Sequence, residues 1–185
     1  MPQRAEYRNS IRSKTLIKNS LIELLKTKPL EKVTVTDIVN NADINRGTFY
    51  AHYTDICELI HAVEDEIVDT LCSFTHEWNE TEPFQNPLPL FLRISDYLTR
   101  KQDLIFALMN ANNTSSFVFR LPDLLTEHLL ASDSVPKPLL RDPLLEARFR
   151  FYAGGVVSLY AAWFQGSLEG TLDDVAYMLE KIIIN

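Results

Sequence analysis

Apolar residues recur three and four positions apart along much of the chain, beginning with Ile11, Ile17, Leu21, Leu24 and Leu25, with Lys14, Lys18 and Lys26 on the intervening positions. This spacing gathers the apolar side chains on one face of a helix and leaves the lysines on the other, so a helix is predicted over residues 9–27, closed by Pro29. Thr34-Val35-Thr36-Asp37 then has the form of a capping box, in which the Thr34 hydroxyl accepts from the Asp37 amide and the acid sits at the positive helix end. A short helix to Asn41 is expected to follow. Ala42 to Asn45 reads as a turn, with Asp43 suited to left-handed backbone and Asn45 to the N-cap of another short helix over residues 46–52.

A long helix is announced next by Ile56, Leu59, Ile60, Val63, Ile67, Leu71, Phe74 and Trp78, running about 25 residues and ending before Pro83. Prolines 83, 87, 89, 122, 136, 138 and 143 mark the stretch that follows, with helices predicted over 89–101, 103–111, 116–131 and 143–166. The last of these has a bulky stripe (Leu145, Phe149, Tyr152, Val156, Leu159, Trp163) and a small one (Ala147, Gly154, Ser158, Ala161), hence two faces to pack. Gly166 and Gly170 stop it, and Thr171 with Asp174 caps a closing helix over 171–184 whose seam is Leu172, Val175, Leu179 and Ile182. The expected fold class is all-α, with about nine helices.

Composition agrees: 185 residues, 46% apolar and with only 5 Gly, can bury a sizeable core and offer little punctuation for an all-β fold. The net charge of −7 argues against a nucleic-acid partner until its distribution is examined. Residues 1–53 hold nine Lys/Arg against five Asp/Glu, a net +4, which leaves −11 on residues 54–185. A basic head on an acidic body suits a protein whose head alone approaches DNA, although a solvated basic helix has the same composition. No apolar run reaches membrane-spanning length and no secretion signal is read at the N-terminus, so a soluble, cytoplasmic protein without membrane association is expected. Cys57 and Cys72 fall in one predicted helix, roughly 22 Å apart at about 1.5 Å per residue, too far to bridge.

Two short helices joined by a four-residue turn after a longer helix make a helix-turn-helix, whose second short helix enters the major groove by its N-terminal end. Here that end is Asn45-Arg46-Gly47-Thr48. Arg46 suits a guanine edge, Gly47 lets backbone approach closely, Thr48 reaches a phosphate or a thymine methyl, and Tyr50 and His52 suit phosphate oxygens. With Thr34 and Thr36 these residues form the candidate DNA-binding set. Phe49, Tyr53 and Leu59 are expected inside the small head, since about 45 residues need every large side chain for a core.

The segment Thr34 to Leu59, and in it Thr36-Asp37-Ile38, Ala42, Ile44, Arg46-Gly47-Thr48-Phe49-Tyr50, His52-Tyr53 and Leu59, strongly resembles the TetR family of transcription regulators. With the first helix, the resemblance covers about 50 residues; beyond them only the helical pattern is similar. It implies a helix-turn-helix domain over 1–54 and an effector-binding and dimerisation domain over 55–185. It also implies a homodimer through the last two helices (143–166 and 171–184) and a body enclosing an inducer pocket. Two positions depart from the family pattern: Asp43 stands where Gly is common in the turn, and Ile56 stands where a phosphate-gripping Lys is common at the start of the fourth helix. The missing cation implies either a lower operator affinity or one carried by Lys28, Lys32 and the basic N-terminal arm.

Within the aromatic-rich body, the ligand-binding candidates are Trp78, Phe91, Tyr97, Phe106, Tyr152 and Trp163, because effector sites are mainly apolar with a few polar anchors. Cys57 and His61, and Cys72 and His76, each share a helical face at a spacing able to hold a soft metal or activate a thiolate, but two ligands fall short of a site and buried cysteine is a common apolar filler. No metal and no cofactor other than an unknown small-molecule effector is expected. With no phosphate loop, nucleophile elbow or His-Glu-x-x-His, neither catalytic residues nor an enzyme is expected. The expected function is that of a DNA-binding repressor released from a palindromic operator by a small molecule. The alternative is a dimeric regulatory module that has lost operator binding and acts through a protein partner.

Overall fold

A computed structural model of the chain describes residues 2–77, 86–110, 115–131, 135 and 139–184, which hold nine α-helices and no strand. The first four helices are α1 (Pro2–Leu25), α2 (Val35–Asn41), α3 (Arg46–Tyr50) and α4 (Ile56–Ser73). The others are α5 (Leu88–Arg100), α6 (Gln102–Asn110), α7 (Ser115–Ala131), α8 (Leu145–Phe164) and α9 (Leu172–Ile184).

The apolar face of α1 supplies Ile17 and Leu21, both fully buried, to a cluster with Ile38 of α2, Phe49 of α3 and Leu59 of α4. Ser20, on the same face, is buried because its hydroxyl donates to the Ile38 carbonyl at 3.0 Å, tying α1 to α2. Phe49 and Tyr53 are buried as their place in so small a head requires.

The start of α2 is the expected capping box. Asp37 Oδ2 accepts from the Thr34 amide at 2.8 Å while the Asp37 amide donates to the Thr34 hydroxyl at 3.2 Å. The same carboxylate accepts from Lys28 Nζ at 2.5 Å, and that bond, with those from Thr34, holds its pKa down to about 2. The turn into α3 passes through Asp43 at φ 50°, the left-handed residue it calls for, and Asn45 caps α3 by accepting from the Thr48 amide at 2.7 Å.

The regular part of α4 is shorter than its apolar spacing predicts. It gives way after Ser73 to a 3₁₀ turn over Phe74–Glu77. The Ser73 hydroxyl donates to the Thr70 carbonyl at 2.7 Å and that of Thr75 to the Cys72 carbonyl at 2.6 Å. Both reach back three residues and compete with the helical ladder, favouring a tighter turn. Trp78, expected on this helix, lies outside the described residues.

In the body, α9 lies along α5, α8 along α7, and α4 also packs on α7. Three helices are stitched together at a buried polar knot. The Ser95 hydroxyl of α5 donates to the Leu172 carbonyl at 2.7 Å and that of Tyr160 of α8 to the Phe91 carbonyl at 3.0 Å; the two oxygens stand 3.0 Å apart. Burial pushes the Tyr160 hydroxyl up to about 12, so it stays a donor. The turn before α9 needs glycine at position 170, where φ is 99° and a Cβ would come within 2.8 Å of Asp174 Oδ2. That same oxygen accepts from the Thr171 amide at 2.7 Å, completing the cap read from the sequence.

Two tests of the head follow. Truncating its central ring, Phe49→Ala, is expected to lower unfolding stability by about 3–5 kcal/mol in urea denaturation. Asp37 has a depressed folded pKa, so its contribution is fully present above its ordinary value of 3.8 and is lost as the pH falls through about 2. Asp37→Asn should therefore melt below the parent chain at neutral pH, with the two melting curves converging over that acid window.

Candidate functional site

The outer edge of α3 is set by two constraints. Phe49 is buried, while Arg46, Gly47 and Tyr50 of the same short helix are exposed, Tyr50 at 53%. The Asn45 cap fixes where the helix begins, and it also absorbs the Thr48 hydroxyl, which donates to Asn45 Oδ1 at 3.1 Å. At Gly47 a Cβ would stand 3.2 Å from that cap oxygen, so a side chain there would crowd the cap.

Arg46 reaches across to α2, where its Nη2 donates to Thr36 Oγ1 at 2.7 Å. Thr36 and Arg46, both exposed, thus bring the leading turns of α2 and α3 into one surface. Thr34 is exposed on the same turn of α2, its hydroxyl donating to Asp37 Oδ2 at 2.7 Å.

His52 is placed differently. It is half-buried, with Nε2 2.6 Å from the Ser13 hydroxyl of α1. The same hydroxyl also lies within hydrogen-bond reach of the Asn9 and Ser10 carbonyls. Burial, and secondarily the charge of Lys14, lower the His52 pKa, which keeps the ring neutral at neutral pH. His52 therefore ties the end of α3 to α1, a role without a sequence signal because the partners are 39 residues apart.

The start of α4 beside this edge carries acids rather than a cation. Asp55 accepts from the Glu58 amide at 2.8 Å, and Glu58 accepts from the Thr54 amide at 2.6 Å, which lowers the Glu58 pKa. Ile56 opens the helix, so its positive terminus is already met by two of the chain's own carboxylates. Lys28, offered by the sequence as a compensating cation, is paired with Asp37, whereas Lys32 is exposed.

In the body, α4 to α8 and Ile183 of α9 surround a cavity of about 180 Å³. Of the six ligand-binding candidates, Phe91 and Tyr152 line it. Tyr97 instead borders a cleft against α1, Phe106 is exposed in a second cleft beside Leu25 to Glu31, and Trp163 donates its indole N–H to the Gly170 carbonyl at 2.9 Å. Much of the remaining wall, including Leu71, Ile94, Met109, Leu121 and Val156, carries the ordinary helical apolar pattern and nothing that separates cavity from core. Cys72 is in the wall, its thiol raised by burial to about 12 and hence un-ionised; Cys57 and His61 are exposed, and the side chain of His76 lies outside the described residues. No group of three or more His, Cys, Asp or Glu among the described residues is placed to hold a metal ion, and no described helix is long and apolar enough to cross a membrane.

Comparison with known proteins bears on this arrangement. Residues 19–63, from the middle of α1 to the first half of α4, match the family described as bacterial regulatory proteins, tetR family. Among solved structures, the chain is similar to a TetR transcriptional regulator from Streptococcus agalactiae 2603V, with TM-score 0.62 and 19% identity over 98% of both chains. It is also similar to the dihydroxyacetone kinase operon activator DhaS, with TM-score 0.64 and 17% identity over 93% of this chain and 94% of that one. At these identities the two structures speak for the fold alone. No curated protein matches the chain. Residues 19–63 thus carry the helix-turn-helix of the tetR family of bacterial regulatory proteins, and the nine-helix architecture of the described residues is similar in form to that of a TetR transcriptional regulator.

Proposed function

We propose that the chain is a repressor that binds a palindromic operator as a homodimer and leaves it when a small molecule occupies the body cavity. In this reading residues 1–54 are the DNA-binding head and residues 55–185 the effector-binding and dimerisation body. The observation that carries it is the exposed edge formed by Thr36, Arg46, Gly47 and Tyr50, held on a helix whose one large inward side chain is locked in the core. Arg46, already extended, needs to exchange only its Thr36 bond for a base edge, and an arginine fork suits guanine.

Dimerisation is supported by the apolar surface left on the last two helices. Phe151 of α8 and Met178 and Ile182 of α9 are exposed, beside exposed Gly155 and Ser158 on α8. A lone chain has no use for such a surface, whereas a second copy would cover it by two-fold symmetry.

Release is supported by two helices that touch both parts. Leu59 and Val63 of α4 belong to the core shared with the head, while Ile67 and Leu71 of the same helix face the cavity. On α6, Ile105 and Met109 face the cavity while Phe106 and Ala107 face the end of α1 and the loop after it. An occupant that fits the cavity better in one arrangement of α4 and α6 biases the heads, and only that difference in affinity does so.

A second reading, a regulatory module working through a protein partner, is favoured by the carboxylates of Asp55 and Glu58 at the start of α4, where a phosphate would otherwise be met by free amides. Selecting bound fragments from random DNA at moderate salt decides between them. The repressor reading expects one palindromic sequence and an affinity whose logarithm falls linearly with the logarithm of salt concentration. Arg46→Ala should weaken binding by about 1–3 kcal/mol and relax preference at one base position in each half-site. Failure to enrich any sequence, with regulation intact in the Arg46→Ala chain, would establish the partner reading instead.

A further inference from the structure

We infer that the body cavity takes a small, uncharged, apolar molecule, about the size of a single aromatic ring bearing a short alkyl group. This rests on the reading of the cavity as the effector site and gives that effector its chemical class.

Size comes first. A cavity of about 180 Å³ is slightly larger than the roughly 150 Å³ apolar cavity known to stay dry and admit benzene. A ring with a few added carbons therefore fits.

Polarity narrows the class further. Among the described residues no charged side chain lines the cavity; its polar groups are the hydroxyls of Thr75, Tyr152 and Tyr160, the Cys72 thiol and the sulfur of Met109. Most of these hydrogens are already committed. Thr75 donates to the Cys72 carbonyl and Tyr160 to the Phe91 carbonyl, and Tyr152 has interactions of its own. Burial keeps the thiol protonated, so it offers no anion. A carboxylate or phosphate brought here would lose hydration and meet no counter-charge among the described lining residues, an unfavourable exchange for a buried group.

A part-buried ion pair between α4 and α7 stands outside the cavity wall. Glu64 lies one turn before Ile67 on the α4 stripe that continues through Leu71 and Thr75 into the cavity wall. It is buried, with Oε2 accepting from Arg120 at 2.9 Å and Oε1 without a partner among the described residues. Glu64 and Arg120 offset one another's charge, so an anionic and a cationic analogue are both tested explicitly.

The experiment titrates the full-length chain, by calorimetry and thermal melting, with n-butylbenzene, 3-phenylpropionate and 3-phenylpropylamine, and measures the affinity of each sample for its selected DNA. Butylbenzene is expected to bind, raise Tm, weaken DNA binding, and be preferred at least tenfold over both charged analogues. Ala153→Phe, which fills the cavity from α8, is expected to abolish that binding while leaving the helical signal unchanged. Equal or tighter binding of either charged analogue, or no butylbenzene binding up to its solubility limit, overturns the inference. Butylbenzene binding without effect on DNA affinity overturns the effector assignment. Each failure is separable from failure of the regulator reading, because DNA selection without ligand is scored on the same preparation.

Discussion

A helix of five residues cannot persist on its own hydrogen bonds, since nucleation fixes several residues before the first bond repays it. The position of α3 therefore depends on the burial of the Phe49 ring, in one cluster with Ile17 and Leu21 of α1, Ile38 of α2 and Leu59 of α4. Around that anchor the backbone is fixed at one end by the Asn45 cap and at the other by His52, which leans on Ser13 of α1. With Phe49 buried and the helix start fixed, Arg46 and Tyr50 are left exposed on the surface of the head. The surface that defines the head is thus a consequence of its core.

That core does not stop at the head. Leu59, Ile60, Val63, Ile67 and Val68 run along α4, interrupted among its buried residues only by Glu64, and the same buried cluster takes in Phe91, Leu108, Phe117 and Tyr160 of the body. Close-packed interiors transmit displacement rather than absorb it. A change in how α4 and α6 seat around the cavity is therefore felt at Leu59 and at the end of α1, and through them at Phe49. Lys18 and Glu66, an ion pair between α1 and α4, lie across the same boundary.

What was legible in the sequence was whatever is decided locally. The Thr34–Asp37 box, the left-handed turn at Asp43, the Asn45 cap and the Thr171–Asp174 cap each involve residues within a few positions of one another, and chemistry at that range is specified by residue type. The length of α4 was misread because apolar spacing continued through Phe74, while the helix yielded to the hydroxyls of Ser73 and Thr75. The cavity was beyond reach for a different reason. A void is the difference between packed surfaces, so Leu71, Ile94 and Val156, which line it, have the same pattern as neighbours that fill the core. Large aromatics were a poor guide for the same cause: Trp163 spends its indole N–H on the turn at Gly170, and Phe106 points out of the body.

The charge arrangement bears on why such a molecule should be switchable. The head's excess of cations is smaller in effect than its count, because Lys18 is paired with Glu66 of α4 and the start of α4 is occupied by Asp55 and Glu58. Affinity for DNA grows with the number of phosphates neutralised, so a single head on the proposed reading binds weakly. Firm binding then requires two heads joined in one dimer, the second engaging at the high effective concentration created by the first. An interaction that needs both heads at once is lost when their separation no longer matches the groove, even if neither recognition surface is altered. On the proposed reading a modest reseating of α4 would then suffice for release, and the weakness of each head would make the pair responsive.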